Sequence, residues 1–235
     1  MTPTLLLFDI DGTLMRTRGA GMRAMQRAGD RLFGDTVCWE NVQTAGSLDP
    51  HIFAEAAAQS GLAVQDDDHE RFRQQYLTEL EQDLGQNAHL VETMPGIHDI
   101  LKTLRRRSRR TGDVILGMLT GNYSRAVPLK LATIGVDTSW FPITAFGDEA
   151  PTRPDLVALA LKRYEELMRH AAVPRSVVVI GDTPRDVECA HAHGCVAFAV
   201  ATGDFTIDQL SATGAEHVVA DLSDPAPLLA ILDGA

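Results

Sequence analysis

Leu5-Leu6-Leu7-Phe8-Asp9-Ile10-Asp11-Gly12-Thr13-Leu14 lies almost at the N-terminus, four apolar residues giving way at once to two aspartates and a glycine. An apolar run without polar alternation fits a strand buried on both faces, as in a parallel sheet covered by helices. Carboxylates are depleted inside strands, so Asp9 and Asp11 mark the point where this strand should end. In an open α/β sheet, ligands bind outside the carboxyl ends of the strands. Two aspartates spaced i, i+2 there can hold a divalent cation and also do chemistry. Alone, the same residues also describe an acidic Asp-Gly turn.

Three further apolar runs repeat the pattern. Val114–Leu119 ends at Thr120-Gly121-Asn122, Ser176–Ile180 at Gly181-Asp182-Thr183, and Cys195–Val200 at Ala201-Thr202-Gly203-Asp204; His217-Val218-Val219 is a short final strand. Helical patterns separate them. Ile97, Ile100, Leu101 and Leu104 share one face of a helix over 95–107, and Leu156, Leu159, Ala160, Tyr164 and Leu167 do so over 155–168. Shorter helices are expected at 186–193 and 225–232. The alternation predicts an α/β fold, a Rossmann-like parallel sheet with helices on both faces.

Residues 15–93 break that rhythm. Phe53, Ala56 and Ala57 sit at helical spacing, as do Phe72, Tyr76 and Leu80, and Gly19, Gly21, Gly29, Gly34, Gly46, Gly61 and Gly85 offer breaks between helices. The expected organisation is a Rossmann-like core of residues 1–14 and 94–235 with a small helical cap, 15–93, inserted after the first strand.

The net charge of −11 over 235 residues argues against a nucleic-acid partner. The local basic run Arg105, Arg106, Arg107, Arg109, Arg110 suits a solvated helix C-terminus, where cations complement the macrodipole. Cys38, Cys189 and Cys195 lack Cys-x-x-Cys spacing and are odd in number, which fits reduced thiols rather than a zinc site or disulfides. No apolar stretch approaches the roughly 18 residues of a membrane span, so the expectation is a cytoplasmic protein without a membrane partner.

The strand ends carry Asp9 and Asp11, Thr120, and Asp182 with Asp186. Brought to one sheet edge they form an acidic pocket, and oxygen ligands without clustered His or Cys favour a hard cation, Mg²⁺. His191 and His193, spaced i, i+2, do not share a helical face and make no metal pair. Each polar residue also has a plain structural role open to it: Thr120 could cap a helix beginning near Tyr123, and Asp186 could be favourable charge at a helix start.

Asp9-Ile-Asp-Gly-Thr-Leu, Leu119-Thr-Gly-Asn, Arg153-Pro-Asp and Gly181-Asp-Thr-Pro-Arg-Asp186, in that order, resemble the motifs of the haloacid dehalogenase superfamily in its phosphatase branch. Within that branch the chain resembles phosphoglycolate phosphatases and their relatives. The segment between the first two motifs is the family's usual cap position. The resemblance implies that Asp9 is the nucleophile forming an aspartyl-phosphate and Asp11 the general acid and base. It implies that Thr120, Gly121, Asn122 and Arg153 bind the phosphoryl group. It makes Asp9, Asp11 (through its carbonyl), Asp182 and Asp186 the metal set, with Asp186 one step further out or acting through water.

Arg153 stands where the family usually has Lys before Pro, and its planar fork is not equivalent to an ammonium. Lys130 competes for that role, but its place in an amphipathic helix suggests a surface charge. Arg18, Ser47 and Asp49 are candidate cap contacts. The expected reaction is Mg²⁺-dependent hydrolysis of a small phosphorylated metabolite by a monomer or homodimer. The alternatives are a sugar-phosphate phosphomutase and a non-catalytic phosphometabolite-binding module.

Overall fold

The computed structural model describes residues 2–169 and 173–234; residues 1, 170–172 and 235 of the expected core segments lie outside them. Its centre is β1 (Thr4–Phe8), whose residues are all buried. Leu6 and Phe8 join the hydrophobic cluster on one face of the sheet, Leu5 and Leu7 the cluster on the other. Successive side chains along a strand point to opposite faces, so the unbroken apolar run follows from burial on both.

β4 (Val114–Thr120), β5 (Ile143–Phe146), β6 (Val177–Gly181), β7 (Val196–Val200) and β8 (His217–Val219) complete a parallel sheet of order β5-β4-β1-β6-β7-β8. After β1 the chain builds outward through β4 and β5, then crosses back to place β6 on the other side of β1. That reversal is the switch point of an α/β sheet, where a crevice opens beyond the strand ends. The Rossmann-like expectation is met. One strand of this sheet escaped the sequence: β5 is an edge strand of four residues, alternately buried and half-buried, without a long apolar run.

α4 (Ile97–Thr111), α6 (Arg153–Leu167), α7 (Pro184–His191) and α9 (Ala226–Asp233) flank the sheet, joined by the short α5 (Ala126–Thr133) and α8 (Ile207–Ser211). The basic run closes α4, but Arg107 is not merely solvated. It pairs with Asp113 at 2.6 Å and Asp233 at 2.7 Å, while Arg105 lies 3.7 Å over the Trp140 ring.

Between β2 (Met15–Arg16) and β3 (Glu92–Thr93), which pair antiparallel, lie α1 (Ala20–Phe33), α2 (Asp49–Gln59) and α3 (Asp66–Gln86). Phe53, Phe72 and Tyr76 are buried in this layer's own core, with Phe53 stacked on Phe72 at 3.7 Å. Gly21 and Gly29 lie inside α1 and Gly85 inside α3, so these three do not break helices. The α1–α3 contact also buries carboxylates: Asp83 meets Arg23 at 2.6 Å and Arg27 at 2.5 Å, and Glu79 meets Arg27 at 3.2 Å and Arg31 at 2.5 Å. No described helix is long and apolar enough to cross a membrane.

Candidate active site

Asp9 follows β1 and Asp182 follows β6, adjacent strands, so the sheet itself brings the two carboxylates together. Asp186 joins them from the first turn of α7. Ligand oxygens of Asp9, Asp182 and Asp186 all lie within 4.8 Å of one another, and all three residues are buried.

The turn after β1 is shaped for this crowding. Gly12 adopts φ +79°, and a Cβ there would stand 2.2 Å from Asp182 Oδ2. Only glycine satisfies both the left-handed backbone and the close approach. Thr13 Oγ1 donates to Asp182 Oδ1 at 3.0 Å and orients that carboxylate.

Burial pushes the Asp9 carboxyl up to about 6; Arg153 opposes the rise, while Asp186 and Asp11 reinforce it. Burial likewise pushes Asp182 up to about 8, reinforced by Asp186 and Asp9 and opposed by the Thr13 hydroxyl. Buried like charges resist joint ionisation unless positive charge is supplied. An all-carboxylate donor set of this kind fits a hard divalent cation.

Part of the positive charge comes from Arg153, at the start of α6. Its guanidinium lies 3.2 Å from Asp9 Oδ2, donates to Asp186 Oδ1, and donates to the Gly46 carbonyl at 3.1 Å. Arg153 Nε is buried with no partner among the described residues. Asp186 also serves its helix, its Oδ2 accepting from the Thr183 amide at 3.0 Å and the Thr183 hydroxyl at 2.7 Å. Helix-start and site contacts thus coexist on one side chain.

Asp11 is held differently. Its Oδ2 accepts from Lys130 Nζ at 2.6 Å and from Asn122 Nδ2 at 2.7 Å, and Lys130 also donates to Asn122 Oδ1. Lys130 is 3% exposed, so the surface-charge expectation is corrected. Burial disfavours its charge, but Asp11 and Asp49 outweigh burial and raise its pKa. The signal was present in the sequence: Lys130 is the only charged residue of α5, within otherwise apolar Ala126-Val-Pro-Leu-Lys-Leu-Ala.

Thr120 ends β4 and is fully buried; its hydroxyl accepts from Asn122 Nδ2 at 2.8 Å. It does not cap the following helix, since α5 begins only at Ala126 with Arg125 before it. Of the cap candidates, Arg18 pairs with Glu92 at 2.8 Å, Ser47 accepts from Arg185, and Asp49 accepts from the Tyr123 amide at 2.9 Å. A cavity of about 440 Å³ joins these groups to Asp9, Asp11, Thr120 and Arg153, with Met22, Met25 and Ile52 adding apolar surface from the helical layer.

The fold and the buried aspartate cluster define an α/β core whose strand ends gather carboxylates able to hold a cation. The chain belongs to the haloacid dehalogenase-like hydrolase family, which it matches over residues 6–200. It is 30% identical over 127 residues to the phosphoglycolate phosphatase of Synechococcus elongatus; the stretch is 54% of this chain and 54% of that protein, about half the length of each. Among solved structures it resembles a hydrolase from Pseudomonas syringae (TM-score 0.70, 21% identity, 97% of this chain and 98% of that one). It also resembles CbbY from Rhodobacter sphaeroides in complex with phosphate (TM-score 0.71, 18% identity, 95% and 96%).

Proposed function

We propose that the protein is a Mg²⁺-dependent phosphomonoesterase acting on a small phosphorylated metabolite, phosphoglycolate phosphatase-like in chemistry. In this reading residues 15–93 are the cap and residues 1–14 with 94–235 the catalytic core. One observation carries the reading. Asp9 sits with the clustered carboxylates of Asp182 and Asp186 and beside Arg153, whereas Asp11, two residues on, is anchored to Lys130 and Asn122. Two carboxylates with distinct surroundings suit two distinct roles.

Asp9 attacks phosphorus through a carboxylate oxygen, and the bond from phosphorus to the leaving oxygen breaks. Asp11 gives its proton to that oxygen, releasing a neutral alcohol. Water then attacks the aspartyl-phosphate, Asp11 takes a proton from the water, and inorganic phosphate leaves with Asp9 restored. The Thr120 hydroxyl and the amides of Gly121 and Asn122 bind the phosphoryl oxygens, and Arg153 holds Asp9 and Asp186 while presenting positive charge to them. Asp9, Asp182, Asp186 and the Asp11 carbonyl would hold Mg²⁺, which when bound neutralises charge on the carboxylate and phosphoryl oxygens.

Phosphate release from a panel of phosphomonoesters, including phosphoglycolate and sugar phosphates, tests the reading. Turnover is expected with Mg²⁺, and not with EDTA or in Asp9→Asn. Undiminished turnover in Asp9→Asn would remove Asp9 as the nucleophile.

A further inference from the structure

Asp49 is the first residue of α2, and its carboxylate is engaged outside that helix. It reaches across to the core. The Asp49 amide donates to the Gly121 carbonyl at 2.7 Å, and its Oδ2 accepts from the Tyr123 amide at 2.9 Å. These two bonds straddle Asn122.

The segment carrying Asp49 is seated directly on this turn: a Cβ on Gly121 would stand 2.0 Å from the Ser47 carbonyl oxygen. The Tyr123 hydroxyl, in addition, bonds His69 Nε2 of α3 at 3.0 Å. The backbone of the turn and the side chain that follows it are therefore gripped by the helical layer. Asn122, between the two Asp49 contacts, is the residue of this turn that donates to the Asp11 carboxylate, alongside Lys130 of α5.

We propose that Asp49 is a positioning residue for Asp11, acting through the Gly121–Tyr123 turn and Asn122. The proposal rests on the phosphatase reading above, in which Asp11 protonates the leaving group. Cap seating and acid–base geometry are then one event, because the carboxylate that docks the cap also fixes the turn that aims Asn122.

The test separates proton transfer from phosphoryl transfer. An alkyl leaving group needs the Asp11 proton, whereas 2,4-dinitrophenolate departs without one. In Asp49→Ala, kcat for the fastest alkyl phosphomonoester of the panel is expected to fall about 30-fold, with KM changed less than about threefold. Single-turnover release of dinitrophenolate, with enzyme in excess, is expected to slow less than about threefold. Asp49→Asn keeps an acceptor oxygen for the Tyr123 amide and is expected to recover most of the alkyl activity.

Should Asp49→Ala fail to fold, Asp49→Ser, too short to reach that amide, carries the same prediction. Equal loss on both substrates, or loss on neither, overturns the proposal. Asp9→Asn run alongside keeps the two readings apart. If that variant still turns over, the phosphatase reading fails; if it is inactive and Asp49→Ala loses both reactions equally, only the positioning role fails.

Discussion

Lys130 donates to Asp11 at 2.6 Å from a position 3% exposed, so the chain buries an ammonium to hold one carboxylate. Burying a cation is costly unless a partner offsets the lost hydration, and Asp11, Asn122 and nearby Asp49 supply that offset. Lys130→Met leaves Asp11 without its ion pair and Asn122 Oδ1 without its donor. We expect kcat on an alkyl phosphomonoester to fall on the order of 10–100-fold with KM little changed. Arg153→Ala acts on Asp9 and Asp186 instead, and is expected to slow single-turnover dinitrophenolate release, which Lys130→Met leaves nearly intact. Identical profiles for the two variants would deny the division of labour.

The same pair shows where the sequence was readable. The four strands β1, β4, β6 and β7 declare themselves because burial on both faces demands an unbroken apolar run. The polar residues that end them are displayed at the sheet edge by that same topology. β5 is hidden because half of its residues are only partly buried, and β2 and β3 are two residues each. Lys130 was misread because a charge on a short helix usually faces water; its burial depends on Asp11, 119 residues away in the chain. Asp49 could be named from sequence as a candidate cap contact, but only the fold shows its carboxylate accepting from the Tyr123 amide.

The carboxylate cluster makes a prediction that does not rely on activity. With Asp9, Asp182 and Asp186 within 4.8 Å of one another, a bound divalent cation stabilises the native state by mass action. Mg²⁺ is expected to raise Tm, and EDTA to return it. Asp182→Asn replaces a buried carboxyl whose ionised form burial already disfavours, so its Tm in EDTA should equal or exceed that of the unmodified chain while its response to Mg²⁺ shrinks. An undiminished Mg²⁺ shift in Asp182→Asn, measured by thermal denaturation, would exclude Asp182 as a ligand.

Tyr164, on α6, is fully buried, and its hydroxyl has no hydrogen-bond partner among the described residues. An unpaired buried hydroxyl costs more than it returns, whereas the ring packs the same with or without it. Tyr164→Phe is expected to be neutral to stabilising, by up to about 1 kcal/mol, in urea denaturation. A loss of about 1 kcal/mol or more would show that the hydroxyl is satisfied.

Acid should loosen the helical layer through Asp83. Hydrogen bonds from Arg23, and then from Arg27 and Asn87, hold its carboxyl down at about 2, against burial, from an ordinary 3.8. A carboxyl depressed in the folded state contributes stability above its unfolded pKa, and that contribution is lost as pH falls through the window between the two values. Full loss is worth on the order of 1–2 kcal/mol after allowing for the partly exposed arginines. Between about pH 5 and about pH 3 roughly half of it should disappear. In Asp83→Asn, which cannot titrate, urea-unfolding stability should start lower and fall less over the same interval, by about 0.5–1 kcal/mol. Parallel pH profiles for the two proteins would mean that the Arg23–Asp83–Arg27 cluster holds the helices by geometry alone, without the charge.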